Sequence, residues 1–159
     1  MNKIIPSLLF NGNAEEAVEF YLSVFKDARI TSLSRYTEAG PLPEGTVSVI
    51  AFEMNGSSFI AINADMDAPF TPAFSFTIMC GDQTEVDYYW NALTANGGAE
   101  VACGWLTDRF GLSWQIVPEL MTELLQSADA GVRDRAMRAM MQMTKMDIAA
   151  LRAAAVATT

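Results

Sequence analysis

Apolar and polar positions along this chain fall into two passages that run in the same order. In the first, Ile4 to Phe10 reads as a short apolar strand, broken by Asn11-Gly12-Asn13. From Ala14 to Phe25 the period lengthens to that of a helix, with Ala17, Phe20, Tyr21, Val24 and Phe25 on one stripe. Asn13 is placed to cap that helix, and Glu15 and Glu16 suit its positive end. Alternation then predicts strands over Arg29–Tyr36, Thr46–Met54 and Ser58–Asn63. The last two are joined by Asn55-Gly56, a strong hairpin signal.

The second passage restates this plan. Ala73 to Cys80 is a strand, Gly81-Asp82 breaks it, and Gln83 to Ala95 is a helix burying Val86, Tyr89, Trp90 and Leu93. Asn96-Gly97-Gly98 ends the helix. Strands follow near Glu100–Trp105 and Leu112–Val117, separated by a turn at Asp108-Arg-Phe-Gly111. Asp65 to Pro72, with two prolines, links the passages. A strand–helix–strands unit stated twice predicts two stacked modules, the first over residues 3–64 and the second over 73–118.

Beyond Pro118 the pattern turns helical, over Glu119–Gln126, Gly131–Met143 and Met146–Ala155. Five of the ten methionines lie between Met137 and Met146. Met137, Met140, Met141, Thr144, Ile148 and Leu151 make an i, i+3, i+4 stripe, which suits packing on the chain's own domain or on a second subunit.

Strand alternation also assigns faces. Phe74, Phe76, Ile78 and Cys80 form an apolar row to cover a helix, leaving Ser75, Thr77 and Met79 opposite. Ile50, Phe52 and Met54 form another, opposed by Val49, Ala51 and Glu53. Ile60 and Ile62 are read as core, with Phe59, Ala61 and Asn63 facing away. On the closing strand Trp114 and Ile116 face the core and Gln115 the other side. The non-core faces mix small, hydroxyl, amide and apolar groups, the character of a cavity wall as well as of a solvated sheet.

Composition narrows the chemistry. At 159 residues the chain has the size of one domain. No apolar run reaches the length of a membrane span, and Met1-Asn-Lys-Ile-Ile-Pro6 lacks a signal-peptide pattern, so a cytoplasmic location is expected. The net charge of −9, from 10 basic and 19 acidic residues, argues against nucleic-acid binding. Cys80 and Cys103 are expected to be free thiols. With no histidine in the chain, histidine-based catalysis and histidine-ligated metals are excluded.

Asn2-Lys-Ile-Ile-Pro-Ser-Leu-Leu-Phe-Asn-Gly-Asn-Ala-Glu-Glu-Ala-Val-Glu-Phe-Tyr21, Gln83-Thr-Glu-Val-Asp-Tyr-Tyr-Trp90 and the segment Cys103–Pro118 resemble the PhnB-like family. That family lies within the vicinal oxygen chelate (glyoxalase/bleomycin-resistance) superfamily, and the resemblance is read from Lys3 through the helical tail. It implies an α+β fold of two βαβββ modules, curved sheets around a cavity, often in a homodimer. Metal-dependent members of the superfamily take ligands at positions that align here with Pro6, Ala61, Ser75 and Gln115. Only Gln115 keeps a competent oxygen, so neither a metal nor another cofactor is expected. The family's ubiquinone-precursor methyltransferase label finds no glycine-rich S-adenosylmethionine turn in this sequence.

Two functions compete. The first is metal-independent binding of a small organic ligand, with hydrogen bonds from Gln115, Ser75, Thr77 and Asn63 and apolar contact from Phe59, Trp105 and Met79. The second is a cofactor-free enzyme in the same cavity, for which Glu53 is the carboxylate on the inner faces, with Asp108 at the hairpin turn and Cys103 nearby.

Overall fold

The computed structural model describes residues 3–156. The chain divides between Pro69 and Phe70, inside the predicted linker, into two units.

The first unit contains β1 (Ser7–Asn11), α1 (Ala14–Val24), β2 (Ala28–Arg35), β3 (Val47–Met54) and β4 (Ser57–Ala64). Its sheet has the order β1-β4-β3-β2, with β1 parallel to β4 and the other pairs antiparallel. Helix α1 buries Ala14, Ala17, Val18, Tyr21 and Val24 against one face. Tyr21 stacks on Phe52 at 6.5 Å and Phe52 on Phe59 at 5.5 Å. Each such fully buried large side chain contributes about 1.5–3 kcal/mol.

One face assignment is reversed in β4. Asn55 (φ 46°) and Gly56 (φ 78°) both adopt the left-handed conformation of a two-residue hairpin turn. That turn pairs Met54 with Ser57, and so places Phe59 opposite Phe52 and Ala61 opposite Ile50. Directly opposed residues share a face. Phe59, Ala61 and Asn63 therefore lie with the β3 core row against the helix and are buried, while Ile60 and Ile62 look outward and are half-buried.

The second unit contains β5 (Ser75–Cys80), α2 (Gln83–Thr94), β6 (Ala99–Glu100), β7 (Trp105–Thr107) and β8 (Ser113–Pro118), in the sheet order β5-β8-β7-β6. Strands β5 and β8 are parallel. Ile78, Cys80, Leu106, Trp114 and Ile116 form its core with Val86, Trp90 and Leu93 of the helix. Phe74 lies before β5 and is 50% exposed, so the apolar row starts at Phe76. The single strand expected over Glu100–Trp105 is split by a corner in which Val101 N–H donates to Trp105 O at 2.9 Å. At that corner Cys103 (φ 59°) and Gly104 (φ 81°) turn left-handed. A Cβ on Gly104 would stand 2.9 Å from the Ile116 carbonyl oxygen, which requires glycine there.

The tail forms α3 (Glu119–Leu125), α4 (Ala130–Met140) and α5 (Ile148–Val156), packed on its own unit. Met121, Ala136, Met146 and Leu151 bury together, with Val117, Leu120, Leu124, Met140 and Met143 around them. Backbone bonds fasten it: Cys103 N–H donates to Met143 O and Gly104 N–H to Thr144 O, both at 2.8 Å. The predicted methionine stripe holds only in part. Met137 and Met141 are 41% and 57% exposed, because Ala136 rather than Met137 points into the helical core.

Candidate functional site

On the second unit's sheet, pairing register assembles one open face. Thr77 and Trp105 both lie opposite Gln115, Ser75 lies opposite Ser113, and Met79 opposite Val117. All five predicted residues of this sheet (Ser75, Thr77, Met79, Trp105 and Gln115) thus share the side away from α2. Gln115 Nε2 donates to Ser75 Oγ at 2.9 Å. Thr77 and Met79 are exposed, while Gln115, Ser75 and Trp105 are half-buried. The hydroxyl and amide groups gather around Gln115, and Met79 makes one end of the face apolar, where its neighbour Val117 packs against the tail helices.

On the first unit's open face, Thr31, Ala51, Glu53, Ser58 and Ile60 line a concavity of about 400 Å³. Glu53 sits there as predicted, but its Oε2 is 2.6 Å from an Arg29 guanidinium nitrogen on the neighbouring strand. An ion-paired carboxylate that reaches solvent is not the desolvated base that proton abstraction calls for.

Two predicted ligand contacts are structural instead. Phe59 borders that concavity along its strand, but its ring is stacked in the core on Phe52. Asn63 is 1% exposed. Its Oδ1 accepts from Ala14 N–H at 2.8 Å and its Nδ2 donates to Val47 O at 3.0 Å. It caps α1 from across the sheet, a role expected of Asn13, whose side chain makes no cap bond among the described residues.

Asp108 is likewise committed to the fold. It is 2% exposed, and its Oδ1 accepts from Phe110 N–H at 2.9 Å and Leu112 N–H at 3.1 Å. Its Oδ2 accepts from Trp114 Nε1–H at 2.9 Å. Burial pushes the Cys80 thiol up to about 12, with the carboxylates of Glu85, Asp82 and Glu119 adding to the shift. That thiol is no nucleophile at neutral pH. A second concavity, of about 560 Å³, was not foreseen; Gln83, Asp87, Lys145 and Arg152 are among its lining residues. It joins α2 to a tail segment some sixty residues later, which no local pattern announces.

The donor set does not fit a divalent ion. Ala61 is buried beneath the sheet, and its outward neighbours Ile60 and Ile62 are apolar. Ser75 and Gln115 offer two neutral oxygens, and among the described residues no three His, Cys, Asp or Glu side chains converge.

The family model described as 3-demethylubiquinone-9 3-methyltransferase matches residues 2–117. A PhnB protein from Bacillus cereus is similar in structure, with a TM-score of 0.66 and 38% identity, over 74% of this chain and 99% of that one. The chain belongs to the PhnB-like family of the vicinal oxygen chelate superfamily. Protein PA1353 from Pseudomonas aeruginosa (20% identity, TM-score 0.60, 74% of this chain and 98% of that one) shares the fold. So does the fosfomycin resistance protein FosX from Listeria monocytogenes (15% identity, TM-score 0.59, 79% and 98%). No curated protein matches the chain.

The family match stops at residue 117, so the helical tail lies beyond it, and the resemblance to the family ends with the second module rather than running through the tail. In this PhnB-like chain side chains engage both strand-to-helix turns. Asp82 Oδ1 accepts from Glu85 N–H at 2.9 Å while Glu85 Oε2 accepts from Gly81 N–H at 2.8 Å, a reciprocal pair of bonds at the α2 entrance that resembles a capping box shifted by one residue. The α1 entrance is filled by Asn63.

Proposed function

We propose that this PhnB-like protein binds a small organic ligand on the open face of its second sheet, without a metal in the contact. The single observation that carries this reading is the Gln115–Ser75 bond of 2.9 Å. It fixes the amide's orientation with one N–H and leaves the carbonyl oxygen and the second N–H to a ligand. Thr77 adds a hydroxyl, while Trp105 and Met79 supply apolar contact on the same face. Such a surface, with hydroxyl and amide groups around Gln115 and apolar contact from Trp105 and Met79, suits an uncharged or weakly polar organic molecule. The protein works as a homodimer in the cytoplasm under this reading.

Intrinsic fluorescence tests it, because Trp90 and Trp114 are 2% exposed and only Trp105 is half-exposed. A ligand found by thermal-shift screening in EDTA should change the fluorescence of the native protein and not that of Trp105→Phe. A ligand that binds only with added divalent metal overturns the reading. Native mass spectrometry reports the protomer count and any retained ligand.

A further inference from the structure

The sulfur atoms of Cys103 and Met141 lie 3.8 Å apart on the surface of the second unit, far along the chain from each other. A metal–thiolate bond is about 2.3 Å, so two sulfurs at this spacing subtend roughly 110° at a shared ion, between tetrahedral and trigonal. Met137 stands one turn before Met141 on the same helical ridge, since Met141 N–H donates to Met137 O at 3.0 Å. Packing does not account for these two thioethers. The tail's core is filled by Met121 and Met146, with Met140 and Met143 packed against it, whereas Met137 and Met141 are 41% and 57% exposed.

We propose that Cys103, Met141 and Met137 form a surface site for a soft monovalent cation, Cu(I), separate from the ligand face around Gln115. Thiolate and thioether donors select Cu(I) over the hard cations; the Cys103–Met141 pair supplies two sulfurs already in contact, and Met137, one helical turn from Met141, is the third donor of the proposal. Binding forms a sulfur–copper bond at Cys103 and releases the thiol proton to solvent, with no change of oxidation state. The corner that carries Cys103 is anchored to the tail by the bonds from Cys103 and Gly104 to Met143 and Thr144. The thiol and thioether are thereby held together before the ion arrives.

The test is a competition titration of the purified, reduced protein against Cu(I)–bicinchoninate, run on wild type, Cys103→Ser, Met141→Leu and Met137→Leu. Melting curves confirm that each variant is folded; the exposed positions of the two methionines make those leucine variants safe. We expect one Cu(I) per chain, loss of more than ~100-fold in affinity for Cys103→Ser, and about tenfold for each leucine variant. X-ray absorption should show a sulfur-only shell. Wild-type affinity in Cys103→Ser overturns the site. So does unchanged affinity in both methionine variants, which would mean the thiol binds alone.

Discussion

The side chain of Asn63 on β4 receives the first backbone N–H of α1, that of Ala14, at 2.8 Å. Strand and helix are thus joined by a buried bond spanning 49 residues, and the same amide holds Val47 O at 3.0 Å. Removing it strands a buried donor and a buried acceptor, each worth roughly 1–3 kcal/mol. Asn63→Ala should lower unfolding free energy by about 2–4 kcal/mol in urea titrations. It should leave ligand affinity unchanged in the protein that remains folded. A stable variant with lost binding would return Asn63 to the ligand site.

Asp108 makes a comparable prediction for the second unit. Its carboxylate accepts two backbone N–H groups of the turn and the Trp114 indole N–H. In Asp108→Asn an amide N–H₂ must face one of those donors. Stability should fall by about 2 kcal/mol in urea titrations as a buried donor of the turn or the indole loses its partner. Unchanged stability in Asp108→Asn would contradict this structural role.

Much of this was legible in advance. Alternation placed Ser75, Thr77 and Met79 on one face of β5 and Gln115 on the matching face of β8, because both strands are short, unbulged and flanked by clear breakers, whereas the face of Trp105 follows only from its pairing with Gln115. In β4 alternation alone does not say which row is core, since Ile60 and Ile62 are as apolar as Phe59 and Ala61. The Asn55-Gly56 turn already set the pairing that puts Phe59 beside Phe52. A two-residue turn is stronger evidence of phase than the size of an aliphatic side chain. Asn63 as a remote cap was not legible, since no local pattern joins positions 14 and 63. The tail's docking was hidden for the same reason: it depends on Gln83 meeting a segment that follows more than sixty residues later.

Gln83 is the fastening of that tail. Its Nε2 donates to Met146 O at 3.1 Å and its Oε1 accepts from Ile148 N–H at 2.9 Å. Gln83→Ala should speed hydrogen exchange in α5 well before the sheet is affected, with a cost of about 1–3 kcal/mol. Uniform exchange across the unit would contradict a local fastening.

Beside it, hydrogen bonds from Lys145 and Gln83 hold the Asp87 carboxyl below its usual value of 3.8. The charged form is the one favoured by folding. This contribution is therefore present above pH 3.8 and disappears as the pH falls through the lower folded value. Tail protection should weaken on acidification in that window, and Asp87→Asn should remove the pH dependence.

The two thiols should differ sharply. Cys80 is buried with its thiol raised to about 12, so the folded chain keeps that proton where the unfolded chain loses it. Stability from this group is complete below about pH 9 and falls as the pH rises toward 12. At pH 8 iodoacetamide should label Cys103 in the native protein and Cys80 only after denaturation. Rapid native labelling at Cys80 would show that the second core opens readily.

Metal-free recognition through Gln115 is tested most directly by isothermal titration of the screened ligand in EDTA, comparing wild type with Gln115→Ala. Wild type should bind with EDTA present, and Gln115→Ala should bind about tenfold or more weakly, the worth of one good hydrogen bond. Equal affinities for the two proteins, or binding that EDTA abolishes, would contradict the account.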